Sequence, residues 1–445
     1  MASTYLTNTS VTPTNRYKYT FSFWVKRSKI LLGATAQRLI NVYTDSNNKL
    51  QIAFGTDDRL SIFDKESGAT RFSVAPSMRF RDPNAWYHIV IAADTTQSTE
   101  ADRMKVYVNG EIITAYESGN TYAGQNTNTG GQLTGSGARR IGANESAANH
   151  FDGLLSHFHF VDGTAYAASD FGSTDSTTGE WKINTSPSVT YGNNGYFILK
   201  DGNSVTDQSG NSNNWTVGAG TLNNTEDCPS NVFATLNPLV NYSNFSGGTL
   251  SNGNTTHSNS SGTSNKISTL GMTSGKFYAE AKYTGGGNYN GVGFCSEPFL
   301  SGAATLANST HGASLTYTDV YNGGVAYGTY ATPSTNDIIG IALDIDNGYA
   351  YFSNNGVWGN SGVPTSGSTG TGGFLISKTD ANSTYFFASE QNATPGTRGA
   401  DWNFGNGYFG TTAISSEGTN ASGIGKFEYD VPAGYTALST KGLNL

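Results

Sequence analysis

Charge is scarce in this chain of 445 residues. Asp, Glu, Lys and Arg make up 13% of it, against ~25% in an ordinary soluble protein. The 25 basic residues are scattered and the formal net charge is −8. That balance argues against a phosphate-binding surface, and so against nucleic acid as a partner. Cysteine is nearly absent. Cys228 and Cys295 stand far apart and read as free thiols, with a disulfide as the alternative. No zinc-ligand spacing occurs. No run of ~18 apolar residues offers a membrane span, and Met1-Ala2-Ser3-Thr4-Tyr5-Leu6 lacks the basic-then-apolar profile of a signal peptide. The expectation is a protein at work in solution, or one assembled inside a cell and carried out on a particle.

What the chain has instead is glycine, small polar residues and aromatic rings. There are 56 Gly, 25 Tyr and 23 Phe, with aromatics at 12%. Such a composition suits pleated, half-buried surfaces joined by many tight turns. Low charge alone would fit disorder, but regularly spaced aromatic and β-branched residues call for packed cores. Single cores stop growing near ~250–300 residues, so two or three domains are expected.

Strand-like segments separated by turns fill residues 1–170. In Tyr17 to Lys26 the alternation puts Tyr19, Phe21, Phe23 and Val25 on one face. Trp86 to Ala93 is nearly continuous in apolar residues, as befits a sandwich centre. Met104 to Val108 meets Asn109-Gly110, the pair that favours a type I′ hairpin. Gly153 to Val161 reads as a closing strand with Leu155, His157 and His159 on one face. Residues 171–233 turn rich in Asp, Ser, Asn and Gly yet keep Trp181, Tyr191, Tyr196, Phe197 and Trp215, which suggests a compact, turn-rich bridge rather than a free tether. A second sandwich is expected over 234–445. Its strands include Lys276 to Tyr283, Ile338 to Asp344 and Tyr349 to Ser353. The fold class expected is all-β: two consecutive β-sandwich (jelly-roll) domains.

Two resemblances rest on these residues. The series Phe21-Ser22-Phe23-Trp24-Val25, Trp86-Tyr87-His88-Ile89-Val90, Lys105 to Gly110 and Phe151-Asp152-Gly153-Leu154-Leu155 resembles the laminin-G-like, concanavalin A-type jelly roll. The series Gly275 to Glu280, Asp337 to Asp344, Ala350 to Trp358 and Asn403-Phe404-Gly405 resembles the SPRY fold. Their pairing, with the Asp207 to Trp215 run between, is similar to structural proteins of tailed marine bacteriophages. That resemblance implies a virion surface protein: a tail-fibre or receptor-binding component touching host glycan or receptor, or a capsid decoration protein. It also implies other virion proteins as partners and a homo-oligomeric state.

Catalytic patterns are missing from the sequence. Glycoside hydrolases need two carboxylates across the scissile bond, ~5–5.5 Å apart for retention or ~6.5–9.5 Å for inversion. The closest match to a Glu-x-Asp-x-x-Glu strand is Glu100-Ala101-Asp102-Arg103-Met104-Lys105, where lysine replaces the second glutamate. The expectation is a non-enzymatic protein without a cofactor, with a glycan-degrading enzyme as the alternative. His157 and His159 lack an evident third metal ligand. Laminin-G-like relatives that bind calcium imply one candidate, Asp152, although a single carboxylate is a thin calcium site. Asp344-x-Asp346-Asn347-Gly348 reads as turn chemistry, because Asn354 stands where a calcium loop needs glutamate.

SPRY-like domains bind through loops at one end of the sandwich. Carried over, this implies ligand contacts at Tyr289, Asn290, Tyr317, Tyr321, Tyr327, Tyr330, Trp358, Asp401 and Trp402. Aromatic faces stack on sugar rings, while amides and carboxylates bond hydroxyls. Trp24, Trp86 and Phe352 lie in apolar strand patterns and read as core.

Overall fold

A computed structural model describes residues 3–9, 11–30, 35–129, 138–200, 202, 204–240, 248–285, 290–296, 305–376, 384–392 and 396–445. Almost all its regular structure is antiparallel strand, interrupted by a few 3₁₀ turns. The chain divides into two compact units, Met1–Asn224 and Thr225–Leu445.

The first unit packs two sheets face to face. One has seven strands in the order Thr216–Ala219, Tyr5–Thr9, Ala138–Ile141, Gln37–Asp45, Asn48–Phe54, Leu60–Glu66 and Ala69–Val74. The other has six: Tyr196–Ile198, Gly153–Asp162, Lys18–Arg27, Trp86–Asp94, Met104–Val108 and Glu111–Ile112. Successive side chains on a strand point to opposite faces, so Tyr19, Phe21, Phe23 and Val25 all enter the core, where they meet Ile52, Phe54, Ile62, Ile89 and Ile91. Asn109 and Gly110 both take positive φ (49° and 86°), as a type I′ turn requires.

The closing strand departs from simple alternation. Its register shifts between Ser156 and His159, and His157 has φ 45°. This bulge inserts one extra residue. Leu155, opposite Val25, therefore shares the core side with Phe158 and Phe160, while His159, opposite Ser22, points outward. The expected grouping of Leu155 with His159 is corrected by that insertion.

The turn-rich segment after residue 170 supplies structure to the first unit. Tyr196–Ile198 pairs with the closing strand, and Thr216–Ala219 pairs with Tyr5–Thr9. Trp215 is buried against Tyr196, ring centroids 5.0 Å apart. The Asp-Ser-Asn run is wound around one carboxylate: Asp207 accepts from the backbone N–H of Phe197 (2.8 Å), Ser209 (2.9 Å) and Asn213 (2.9 Å). Polar composition here reflects side chains that organise turns.

Part of this segment covers the outer face of the six-stranded sheet. Phe171 is buried against Val90 and Val161, with Tyr166, Trp181, Val189 and Tyr191 packed around them. The Trp181 indole N–H donates to His88 Nδ1 at 2.9 Å, and His88 Nε2 bonds Ser22 Oγ at 2.9 Å. Indole is a donor only, so Nδ1 must be bare and His88 neutral. Trp24, opposite His88 on the next strand, stacks on its ring, centroids 5.0 Å apart. A Cβ at Gly110 would overlap the Trp181 ring, so glycine serves both the turn and the docking of the layer above it. Burial drives His88 down to about 3 and holds His159 well below its ordinary range.

The second unit is also a two-sheet sandwich. A nine-stranded sheet runs Thr249–Ser251, Thr256–Asn259, Arg398–Asn403, Lys276–Tyr283, Ile338–Asp344, Tyr349–Asn354, Val357–Trp358, with Phe374–Leu375 and Thr436–Ala437 added at its sides. A six-stranded sheet runs Thr263–Ile267, Tyr385–Asn392, Asn290–Ser296, Gly312–Thr316, Asp319–Asn322, Val325–Tyr327. Phe277, Phe294, Ile341, Phe352, Phe387 and Trp402 fill the space between. Glu280, fully buried, pins the C-terminal segment by accepting from the N–H of Glu428 (2.9 Å) and Tyr429 (2.8 Å). Burial pushes its carboxyl up to about 7 against those donors.

Two outcomes follow from these cores. Trp402→Ala should cost ~3–5 kcal/mol, read as a lower denaturation midpoint of the second unit; a change below ~1 kcal/mol would contradict its place in the core. For His88 the folded value lies below the unfolded ~6.5, so the unfolded chain binds the extra proton. The first unit should keep its full stability above ~6.5 and lose it as pH falls toward 3. His88→Asn, which keeps an acceptor for Trp181 but cannot titrate, should flatten that loss in thermal melts between pH 7 and 4.5. Parallel curves for the two proteins would remove His88 as the cause.

Candidate functional site

The residues singled out from the sequence have unequal fates. Tyr289 lies outside the described residues. Asn290 is buried at the start of its strand, its amide donating to Gly285 O at 3.0 Å, and Trp402 is fully buried, stacked on Phe404 at 5.2 Å. Neither can touch a ligand, which corrects that expectation. In the pleat, Trp402 faces inward beside Ala281, and its neighbour Asp401 faces the other way. Asp401 accepts from Thr256 Oγ1, and burial raises its carboxyl. Tyr317 sits half-buried at a turn with φ 61°, and Tyr321 is half-buried in the next strand.

Three of the residues do gather. Tyr327 lies on the edge strand, 44% exposed, its ring edge-on to Phe374 at 5.2 Å. Tyr330 is buried edge-on to Phe352 (6.2 Å), with its hydroxyl pushed up to about 12 by burial. A Cβ at Gly328 would touch both Tyr330 and Asn360, and one at Gly359 would overlap the Tyr330 ring. The loop after half-buried Trp358 therefore lies against Tyr330, and Tyr327 is left as the ring open to solvent.

Metal-ligating side chains are engaged elsewhere. His157 Nδ1 bonds Ser156 Oγ at 2.8 Å and His159 Nδ1 bonds the Tyr191 hydroxyl at 2.9 Å. Asp152 is half-buried, and burial raises its carboxyl. Among the described residues no group of three or more His, Cys, Asp or Glu side chains is arranged to hold a metal ion.

The first unit holds a surface that sequence reasoning missed. While the six-stranded sheet is covered from outside, the outward positions of the seven-stranded sheet are mostly half-exposed. Register sets one row straight across it: Thr7 opposite Arg140, Arg140 opposite Asn41, Asn41 opposite Gln51, Gln51 opposite Phe63, and Phe63 opposite Ser73. Lys49 stands opposite both Tyr43 and Lys65, and Arg38 opposite Ala53. Gln51 Nε2 donates to Asn41 Oδ1 at 3.0 Å. Arg140 lies over the Tyr5 ring (5.0 Å) and donates to Asn144 O at 2.6 Å. The Lys49 ammonium lies over Phe63 at 5.5 Å. Burial lowers Arg38, and the Glu145 charge opposes that. The face thus offers amides, hydroxyls, cations and aromatic rings side by side on rigid strands.

Several solved structures are similar to parts of this chain. A native heptameric SAP-like pentraxin from Limulus polyphemus matches at 15% identity, covering 37% of this chain and 71% of its own, with a TM-score of 0.27. The SPRY domain of human HERC1 matches at 16% identity over 33% of this chain and 87% of its own, TM-score 0.26. The TRIM65 PSpry domain matches at 12% identity over 38% and 90%, TM-score 0.27. No curated protein matches the chain. Residues 2–168, which carry all but one strand of the open face, match the family model described as the Concanavalin A-like lectin/glucanases superfamily.

Proposed function

We propose that this chain is a non-enzymatic glycan-binding protein whose first unit binds along the open face of its seven-stranded sheet. The observation that carries this reading is the cross-strand row Arg140, Asn41, Gln51 and Phe63, half-exposed among the described residues at all but Asn41, in a domain that matches a lectin and glucanase family. Aromatic rings supply flat surfaces for sugars, and amides supply paired donors and acceptors for hydroxyls. Strands hold such groups more rigidly than loops do. Hydrolysis would need two carboxylates facing each other across the bound sugar. Among the described residues, no Asp or Glu stands in this row, which favours binding over cleavage.

Placement on a virion surface, as a tail-fibre or receptor-binding component with capsid decoration as the rival, is supported by the resemblance of the two-part sequence to phage structural proteins. In that setting the partners are host surface glycan and neighbouring virion proteins. Tyr327, an exposed ring of the second unit, supports a second contact with the same class of ligand.

Purified chain mixed with bacterial surface polysaccharides should bind in affinity electrophoresis without releasing reducing ends. Phe63→Ala should weaken binding about tenfold and leave the melting temperature nearly unchanged. Robust release of reducing ends would overturn the non-enzymatic reading. Immunogold label confined to virion heads would overturn the tail assignment.

A further inference from the structure

The composition of the open face narrows the ligand. The chain as a whole is acidic, with a net charge of −8, yet the outward positions of the seven-stranded sheet carry Arg38, Lys49, Lys65 and Arg140, with Arg71 at the bulge beside Lys65. Carboxylates only flank them. Lys65 feels Asp45 at the hairpin turn, Arg71 Nε is 4.0 Å from Glu66 Oε2, and Arg38 feels Glu145. A separate observation concerns hydrogen bonding. Among the described residues, fully buried Asn41 has no acceptor for its Nδ2, and the buried Nε groups of Arg38 and Arg140 have none either. All three are N–H donors. Arg140 and Asn41 are direct cross-strand partners, and Arg38 precedes Asn41 on the same strand.

Donors without acceptors are unfavourable, and they leave this part of the sheet rich in N–H groups and short of acceptors beside its cations. Guanidinium groups favour planar anions, which they grip through paired N–H bonds. Rings at Tyr5 and Phe63, already close to Arg140 and Lys49, add stacking surface for a sugar next to those cations. We propose that the open face takes an acidic polysaccharide, its ring carboxylate or sulfate group received by Arg38 and Arg140 and its neighbouring charge by Lys49. This rests on the glycan-binding reading and specifies its ligand class.

The test uses the full chain in affinity electrophoresis and calorimetry against alginate (carboxylate), dextran sulfate (sulfate), neutral dextran of matched length, polyphosphate and single-stranded DNA. Binding to alginate or dextran sulfate should exceed binding to dextran by at least about tenfold and weaken steeply with added salt; which of the two binds tighter identifies the anionic group. Arg140→Gln and Lys49→Gln should each weaken it several-fold with melting temperature retained, while Lys182→Gln, on the covering layer, should not change it. Salt-insensitive binding of neutral dextran at equal strength would overturn the acidic ligand and leave glycan binding standing. Acidic polysaccharide binding untouched by Arg140→Gln and Lys49→Gln would overturn this face as its site. Polyphosphate or DNA bound as tightly as any polysaccharide would overturn the glycan reading itself, and so would failure to bind any polysaccharide.

Discussion

Everything in these sandwiches descends from the two-residue repeat of an extended chain. Each strand sends alternate side chains to opposite faces, so two packed sheets always possess two inner faces and two outer ones. The inner faces are settled by hydrophobic burial, as with Phe21, Phe23 and Val25. The outer faces have no such obligation. In the first unit they have taken different courses: one is roofed by Phe171, Trp181 and Tyr191, and the other stays open with Gln51 and Phe63 half-exposed. Function has room only where the pleat leaves side chains unclaimed.

The roofed face shows how much chemistry a covering layer can demand. His88 stacks with two tryptophans and accepts from one of them, which ties its ring to a single proton arrangement. Gly110 must lack a side chain because the Trp181 ring rests on it. On the open face the Lys49 ammonium rests on the Phe63 ring, and Arg140 lies over Tyr5 while donating to Asn144 O. Rigid polar contacts mark the face that stabilises, and adaptable ones mark the face that can meet a partner.

Much of this was legible in the sequence, and the reasons for the rest are physical. Alternation in Tyr17 to Lys26 and the Asn109-Gly110 pair identified strands and a turn because both signals are local. The bulge at His157 was invisible, since one inserted residue changes which face follows without changing composition. For the same reason Trp402 was misjudged: beside Asp401 it looks like a surface pair, and only the register with Ala281 turns it inward. The row from Arg140 to Phe63 joins residues 41, 51, 63 and 140. No spacing rule within one strand can reveal a row assembled across four.

One pairing has consequences for synthesis. Tyr5–Thr9 is flanked by Thr216–Ala219 on one side and Ala138–Ile141 on the other, so its neighbours emerge from the ribosome long after it does. One edge of the first strand must wait until Ala138–Ile141 is made and the other until Thr216–Ala219, and contacts of such sequence separation form slowly. During that interval its hydrogen-bonding edges are open to other nascent chains. A fragment ending near residue 170 would carry the same hazard permanently, because it lacks both the flanking strand and the Trp215 anchor.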